Sequence, residues 1–251
     1  MRRAILALLA FLTLSAEAEP ILVPEVSQHE VRVRQGFTGT EMLLFGAILD
    51  PSGQRARERY DIVVVLKGPT QAILLREKAK KFGIWLNADS TGYRSVPSFF
   101  AVASSRPIGE IVDDRTAAIY ELGLHFLQLS PSGVIDPAEQ ARFSAGLVDM
   151  MRRHRLYQED GHGVTIGKGV LYQARIALPS NVATGHYTAE TFAIAHGRVM
   201  ASAIADVEVK KTGFERVVAD KAEDSAFLYG LFAVGLSVFM GWAAGRLFTL
   251  V

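Results

Sequence analysis

The sequence predicts a mainly β fold, an immunoglobulin-like β-sandwich with a two-helix insertion, followed by one C-terminal transmembrane helix. Apolar runs of strand length recur between turn signals, two segments have helical periodicity, and one long run near the C-terminus is uncharged. With 251 residues, 49% of them hydrophobic, the chain can build a sizeable core. A balance of 27 Lys+Arg against 26 Asp+Glu gives no electrostatic reason to expect nucleic acid. The absence of cysteine excludes disulfides and thiol chemistry.

The N-terminus has the three parts of a secretory signal peptide. A basic pair, Arg2 and Arg3, precedes an apolar run of residues 4–14 and an Ala-Glu-Ala sequence. The apolar run is too short to span about 30 Å of hydrocarbon. We therefore expect residues 1–18 to be cleaved, with an uncleaved N-terminal anchor as the alternative. Both interpretations place residues 19–211 in the periplasm.

The uncharged run covers residues 225–245, and as an α-helix it extends about 31 Å, the thickness of the bilayer core. It predicts a single membrane span, with residues 212–224 as a juxtamembrane linker and residues 246–251 as a cytoplasmic tail. The signal peptide sets this orientation, because large domains translocate regardless of their Lys and Arg content. The predicted localisation is therefore the bacterial inner membrane.

Small residues recur every four positions along the predicted span. Such a stripe lets a second helix approach closely, so that van der Waals packing holds the pair together. It predicts contact with the lipid bilayer on the other faces and, on this one, with an integral inner-membrane protein or a second copy of the chain. The stripe consists of Ala233, Ser237, Gly241 and Gly245.

Strand signals occur on both sides of the helical segments. Residues 31–34 alternate with period two, as in a half-buried strand. Residues 61–66 are continuously apolar and rich in valine after Asp61, which predicts a central strand buried on both faces. Further strands are expected near residues 83–86 and 98–103, and the β pattern returns after residue 161, with an alternating run over residues 171–178.

A two-helix insertion is predicted at about residues 105–155. An aspartate caps the first helix, and its predicted apolar face continues to Leu129. Asp136 and the proline that follows it start the second helix. The insertion lies at one end of the sandwich or covers one of its sheets. The predicted apolar stripe of the second helix is Phe143, Leu147 and Met150.

Candidate chemistry is limited to one weak polar cluster. His154 and His162 flank a polar loop that contains Glu159 and Asp160. No histidine pair has the spacing of a zinc motif, and no serine lies in a G-x-S-x-G or S-x-x-K motif. We therefore predict no catalytic residue, no metal site and no cofactor. A catalytic triad can nevertheless assemble in space without a sequence motif.

The densest aromatic stretch has two interpretations. As a surface patch it would be an interaction site, since Trp, Tyr and Arg dominate binding hot spots. The interpretation that we favour is core packing of two strands. The stretch consists of Trp85, Tyr93, Phe99, Phe100 and Arg106.

Short segments throughout the chain carry a resemblance: Phe45-Gly46-Ala47, residues 65–69, 83–87, 97–107 and 178–182, Gly185-His186-Tyr187 and Tyr229-Gly230-Leu231. With the order of signal peptide, β-rich domain and anchor, they resemble the "putative transmembrane protein" family of alphaproteobacteria. The resemblance implies no activity and no site residues, because none is assigned to that family. It does imply an association with sulfite-exporter-type transporters.

Three hypotheses of function follow. The first is a non-enzymatic, membrane-anchored periplasmic accessory protein that docks on a polytopic inner-membrane partner, such as a sulfite-exporter-type transporter. The second is a periplasmic binding module for a small solute or ion. The third is a membrane-tethered hydrolase whose triad assembles in space. The first is preferred, because a plain anchor needs only length and apolarity and would not require the small-residue stripe.

Overall fold

The computed structural model describes residues 20–33, 38–49, 59–211 and 226–248. The predicted signal peptide and juxtamembrane linker lie outside the described residues. The strands are β1 (Ile21–Val26), β2 (Glu30–Val33), β3 (Gly39–Leu49), β4 (Asp61–Lys67), β5 (Thr70–Lys81), β6 (Ile84–Pro97), β7 (Phe100–Ser104), β8 (Tyr157–Asp160), β9 (Val164–Gly167), β10 (Leu171–Pro179), β11 (Gly185–Ala195) and β12 (Arg198–Lys211). The helices are α1 (Ile108–Ile111), α2 (Asp114–Tyr120), a 3-10 turn (Leu124–Phe126), α3 (Pro137–Arg153) and α4 (Ala226–Phe248).

Two sheets form the body of the domain. The first contains four antiparallel strands in the order β1-β3-β10-β9. The second contains six strands in the order β2-β12-β11-β4-β7-β8, of which the pairs β2–β12 and β7–β8 are parallel. The sheets pack face to face, since one cluster of buried side chains joins β3 and β10 to β4 and β11.

Strand β4 is buried on both faces, as its sequence predicts. Ile62, Val64 and Leu66 contribute to the core between the sheets, whereas Val63 and Val65 belong to the core beneath the helices. Burial of each such side chain stabilises the fold by roughly 1.5–3 kcal/mol. The prediction of a mainly β protein with a few helices is confirmed.

The helical insertion covers the outer face of the six-stranded sheet. Helix α3 begins where predicted, because the Asp136 carboxylate accepts hydrogen bonds from the amides of Ala138 and Glu139. Met150, predicted in the apolar stripe, is instead exposed, because the buried positions keep a strict spacing of four residues. The buried side chains of α3 are Phe143, Leu147 and Met151.

Helix α2 is shorter than predicted. It begins after its cap, Asp113, but ends at Tyr120, because Glu121 has a left-handed backbone with φ of 53°. At this position the Glu121 carboxylate accepts hydrogen bonds from Lys67 and from the amide of Gln128. The apolar face predicted beyond this point is therefore built from a 3-10 turn and a loop instead of a continuous helix.

Strands β5 and β6 form a long ribbon whose extent exceeds the prediction. Only residues 83–86 have a clear strand signal, because the second half of β5 reads Arg-Glu-Lys-Ala-Lys-Lys, and these residues do not favour strands. The ribbon continues the neighbouring strands β4 and β7. Its turn is of type I′, with φ of 52° at Phe82 and 82° at Gly83.

One end of the sandwich, which we name the linker end, is where β12 leads into residues 212–225. Strand β12 finishes there opposite the start of β11, with Val209 paired to Gly185. Strand β4 finishes at the same end, where Lys67 pairs with Thr188. The β5–β6 ribbon therefore leaves the sandwich at the linker end.

Helix α4 covers most of the predicted membrane span, residues 225–245. Its side chains are described from Gly230 to Arg246, with the exception of Phe232, and none of these is buried. Judged on the described residues alone, no helix reaches the combined length and hydropathy of a membrane span.

Candidate functional site

Apart from Ser237 and Arg246, the described surface of α4 is apolar. None of its side chains belongs to the two core clusters formed by the described residues. An exposed apolar surface of this extent marks a site of contact with a membrane or another protein. The large exposed side chains are Leu231, Val234, Leu236, Val238, Phe239, Met240 and Trp242.

The four residues of the small-residue stripe lie on α4, and all four are exposed. Ser237 satisfies its hydroxyl within the helix, donating to the Ala233 carbonyl at 2.8 Å. A Cβ atom added to Gly241 or Gly245 would meet no described atom within 4 Å. The stripe therefore leaves room for the backbone of a second helix.

The structure separates the five residues of the aromatic stretch. Tyr93, Phe99 and Phe100 are fully buried. Phe99 belongs to the core between the sheets, and the other two belong to the core beneath the helices. Trp85 lies on the β5–β6 ribbon and is 67% exposed. The five residues do not form one interaction patch, and core packing accounts for three of them.

Arg106 is half-exposed and pairs with Asp61. Its guanidinium donates two hydrogen bonds to the Asp61 carboxylate, including one from Nε to Oδ1 at 3.0 Å. The Ser105 hydroxyl donates to the same carboxylate at 2.9 Å. The Arg106 hydrogen bond, opposed in part by burial, holds the pKa of the Asp61 carboxyl below its usual value. The pair connects the start of β4 to the segment that follows β7.

The two carboxylates of the weak polar cluster accept hydrogen bonds from backbone amides. Glu159 accepts a hydrogen bond from the Leu124 amide, and Asp160 accepts one from the His162 amide, both at 2.9 Å. His154 is the C-cap residue that follows α3. Within the described ranges, His, Asp and Glu side chains form no group of three or more that could hold a metal ion.

A cleft of about 960 Å³ lies between α3 and the segments around it, and we name it the cap cleft. A serine, a histidine and a glutamate line it, as a triad would require. However, Ser144 Oγ is within 2.9 Å of the Tyr93 hydroxyl, and no hydrogen bond between described residues joins Ser144 to His162. Nucleophilic catalysis depends on such a contact. The polar lining residues are His125, Ser144, Asp149, Arg152, Glu159 and His162.

A known family matches almost the whole chain. Residues 21–249 match the family described as "Putative transmembrane protein (Alph_Pro_TM)". The chain belongs to this family. The resemblance noted in the sequence is thereby confirmed. A comparison with curated proteins gives no match.

Several segments that carry the family resemblance meet at the base of the ribbon. The Gly68 amide donates to the Phe99 carbonyl at 2.8 Å, and the Ser98 amide donates to the Pro69 carbonyl at 2.9 Å. The ring centroids of Phe99 and Tyr187 are 5.9 Å apart. A Cβ atom on Gly68 would lie only 3.0 Å from the Tyr187 ring. These family segments therefore hold the ribbon base against the start of β11.

The ribbon tip, which we define as residues 78–86, is the surface feature that the sequence patterns indicate least. Phe82 is 102% exposed, and three further apolar side chains of the tip are exposed beside it. Phe-Gly is not one of the dipeptides typical of a type I′ hairpin turn, which are Asn-Gly, Asp-Gly and Gly-Gly. The sequence therefore shows that this stretch is rich in aromatic residues, but it does not predict that they lie on a projecting hairpin. The three further side chains are Ile84, Trp85 and Leu86.

Proposed function

We propose that the protein is a non-enzymatic accessory protein, anchored in the bacterial inner membrane by α4, with residues 19–211 in the periplasm. One observation carries this proposal: the described surface of α4 is apolar and does not belong to the core of the β domain. Burial of these side chains in lipid removes them from water. The family description also favours a membrane protein.

The length of α4 supports a single span over residues 225–245. The 23 residues of the helix extend about 35 Å, slightly more than a hydrocarbon core of roughly 30 Å. Trp242 and Arg246 lie about one helical turn apart near its C-terminal end. Such side chains concentrate at the membrane–water interface. The predicted signal peptide at residues 1–18 favours export of the β domain.

The small-residue stripe supports docking on an integral membrane protein. Two helices in lipid are held by van der Waals packing, which requires close approach of their backbones. Gly241 and Gly245 provide the open positions that such an approach needs. We propose a polytopic inner-membrane partner, such as a sulfite-exporter-type transporter, with the β domain on its periplasmic side. A second copy of the chain is the alternative occupant.

We also propose that the exported domain is immunoglobulin-like. If the strands of the two packed sheets are named A to G along the chain, with β2 as A′ and β7 as C′, their orders are A-B-E-D and A′-G-F-C-C′, and β8 is an additional strand beside C′. The β5–β6 ribbon lies outside this scheme. Near the start of strand F, the Tyr187 hydroxyl donates to the Ala183 carbonyl at 2.7 Å. A tyrosine bonded in this way is typical of the fold, and a cysteine follows it by two residues in antibody domains. Buried Ala189 occupies that position here.

Docking through the stripe is tested by affinity purification of the full chain from its native membranes in a mild detergent. The variant Gly241→Leu fills the stripe with a bulky side chain and should reduce recovery of the polytopic partner by about tenfold or more, equivalent to about 1.4 kcal/mol. Gly235→Leu is the matched control, because Gly235 is also open but lies about 120° around the helix from Gly241.

The control variant should recover the partner as well as the wild type does. Equal recovery with Gly241→Leu would remove the stripe from the docking surface. Two differently tagged copies expressed together distinguish self-association, since only a homo-oligomer would recover one tag with the other.

The cap cleft favours a second candidate function, a binding module for a small solute or ion. It combines an apolar wall with the basic side chains of Arg152, His125 and His162, which is the general character of small-molecule sites. A ligand that binds the native state raises the melting temperature of the full chain in detergent. Sulfite, sulfate and divalent metal ions are the probes, and Arg152→Gln should abolish any shift that an anion produces. An unchanged melting temperature with all of them would contradict this candidate.

A further inference from the structure

We propose that the ribbon tip inserts into the headgroup region of an anionic bilayer surface. This inference rests on the proposed membrane attachment through α4, and it adds a second contact that would fix the orientation of the β domain above the bilayer.

The tip projects from the domain with its apolar side chains exposed. The last ion pairs that tie the ribbon to α3 are those of Arg142 with Glu77 and Asp89. About five residues of β5 and the turn extend beyond them, a distance of roughly 15 Å. Phe82 and Trp85, at 102% and 67% exposure, belong to neither core cluster of the described residues. Four apolar side chains in one projecting hairpin indicate a contact surface.

Phe82 occupies a turn position whose backbone conformation does not favour a bulky residue. A bulky side chain with φ near +50° is disfavoured, and Gly, Asn or Asp would relieve the cost. Two other described turns have the same pair of left-handed residues, and they carry Lys168 and His196 where the ribbon carries Phe82. An aromatic ring that packs on nothing in the described chain, at a position suited to polar residues, is explained if the ring contacts something outside it.

Lysines flank the apolar residues of the tip. Lys80 lies opposite Trp85, and Lys81 lies opposite Ile84. Opposed residues of an antiparallel pair share a face, so each face of the tip combines an ammonium group with an apolar side chain. Within the described residues, the lysines of the tip form no ion pair with an acidic side chain. They are Lys78, Lys80 and Lys81.

This combination fits a bilayer surface better than a protein surface. Lysine stems lie along apolar material while the ammonium group reaches lipid phosphates, and Trp rings settle at headgroup level. Each lysine near an anionic surface contributes attraction. Lysine is depleted in protein interfaces, whereas arginine is enriched. Charge complementarity therefore selects anionic lipid as the occupant.

The position of the ribbon allows this contact. Its base lies at the linker end, where Val209 of β12 and Lys67 of β4 finish together. Residues 212–225, which connect that end to α4, reach at most about 50 Å when fully extended. The ribbon thus starts at the part of the domain that is tethered nearest to the proposed span.

The two tryptophans of the chain provide the test. Full-chain protein is reconstituted into vesicles of phosphatidylcholine with or without an equal part of phosphatidylglycerol, with bromine atoms on the lipid chains as quenchers. Trp242→Phe leaves Trp85 as the reporter of the tip, and Trp85→Phe leaves Trp242 as the reporter of α4. A third variant carries both changes and Leu171→Trp. Leu171 is 61% exposed. It lies away from the linker end, because it begins β10, whereas Pro179 at the other end of that strand lies close to the start of β11 at the linker end.

We expect bromines near the headgroups to quench Trp85 in the anionic vesicles, and the reporter at position 171 to remain unquenched. Each lysine should favour the contact about fivefold. Substitution of Lys78, Lys80 and Lys81 by Gln should therefore return the quenching of Trp85 to its level in neutral vesicles.

Quenching of Trp242 without quenching of Trp85 would overturn the proposal and leave the anchor in place. A blue-shifted Trp85 that bromines do not affect would also overturn it, because a protein would then cover the tip. Equal quenching at position 171 would show that the contact is not specific to the tip. If neither native tryptophan is quenched, the membrane attachment itself fails, and this inference fails with it.

Discussion

At the scale of single residues, removal of the hydrogen bond from the Tyr187 hydroxyl is the most direct test of the proposed immunoglobulin-like core. It donates to the Ala183 carbonyl at 2.7 Å, and burial raises the pKa of this tyrosine to about 12. Tyr187→Phe removes the donor and leaves the carbonyl without it, so the free energy of unfolding should fall by about 1–2 kcal/mol. Denaturant unfolding of the full chain in detergent measures this.

Tyr120→Phe is the control for that measurement. Tyr120 is partly exposed, and its hydroxyl donates to no other described residue. Its substitution should change the free energy of unfolding by less than about 0.5 kcal/mol. Equal losses from the two substitutions would contradict a specific role for the Tyr187 hydroxyl.

The Asp61–Arg106 pair predicts a dependence of stability on pH. The Arg106 hydrogen bond keeps the pKa of the folded Asp61 carboxyl below its ordinary value of 3.8. The unfolded chain therefore takes up this proton at a higher pH than the folded chain does. The stability that the pair contributes is complete above the ordinary pKa and is lost as the pH falls through the folded value.

Asp61→Asn should accordingly flatten the fall in the free energy of unfolding below about pH 4. Arg106→Gln should have a similar effect, because it removes the main cause of the lowered pKa and leaves burial, which acts in the opposite direction. Denaturant unfolding between neutral and acidic pH measures the slope. An unchanged slope in both variants would show that the pair does not contribute.

At the scale of elements, the cap at the start of α3 should have a measurable effect on the free energy of unfolding. The Asp136 carboxylate accepts hydrogen bonds from the amides of Ala138 and Glu139. Asp136→Ala should lower the free energy of unfolding by about 1 kcal/mol. Asp149→Ala, which removes an exposed ion pair with Arg153 on the same helix, should lower it by no more than about 0.5 kcal/mol. The reverse order of the two losses would contradict the capping role.

Elements with a strong local signal could be predicted from the sequence. The apolar, valine-rich segment of β4 allows few alternatives to a strand buried on both faces, and Asp136 with its proline defines a helix start. The early end of α2 could not be predicted, because it depends on Glu121 meeting Lys67, a residue distant in sequence. The full extent of the ribbon could not be predicted for a similar reason, since pairing with β6 overrides the poor strand propensity of β5.

The candidate sites likewise include features that the sequence alone could place and features that it could not. The stripe on α4 follows from spacing alone, so the sequence suffices to place Ala233, Ser237, Gly241 and Gly245 on a helix. The aromatic stretch could not be resolved, because alternation within a strand does not tell which face is covered. Phe99 and Phe100 point to different cores, and of the four aromatic residues of this stretch only Trp85 is exposed. The cap cleft depends on contacts between segments that are far apart in the chain.

At the scale of the whole molecule, the β domain has two packed cores and no cysteine. In the proposed periplasmic location its stability would therefore come from apolar burial and hydrogen bonding, without the disulfide of antibody domains. Because positive and negative charges nearly balance, net charge does not define a contact surface. Two features remain for contact with the surroundings, the apolar helix α4 and the ribbon tip. Both would meet the same bilayer in the proposed arrangement.

The central claim is that α4 is embedded in the membrane while the β domain lies outside the cytoplasm. Because the chain has no cysteine, single substitutions report topology without background. Val134→Cys, at a position that is 108% exposed, and Val238→Cys in α4 are treated in spheroplasts with a membrane-impermeant thiol reagent. We predict rapid labelling of Val134→Cys, and no labelling of Val238→Cys until detergent is added. Equal labelling of Val238→Cys without detergent, or labelling of Val134→Cys only after the inner membrane is broken, would contradict the claim.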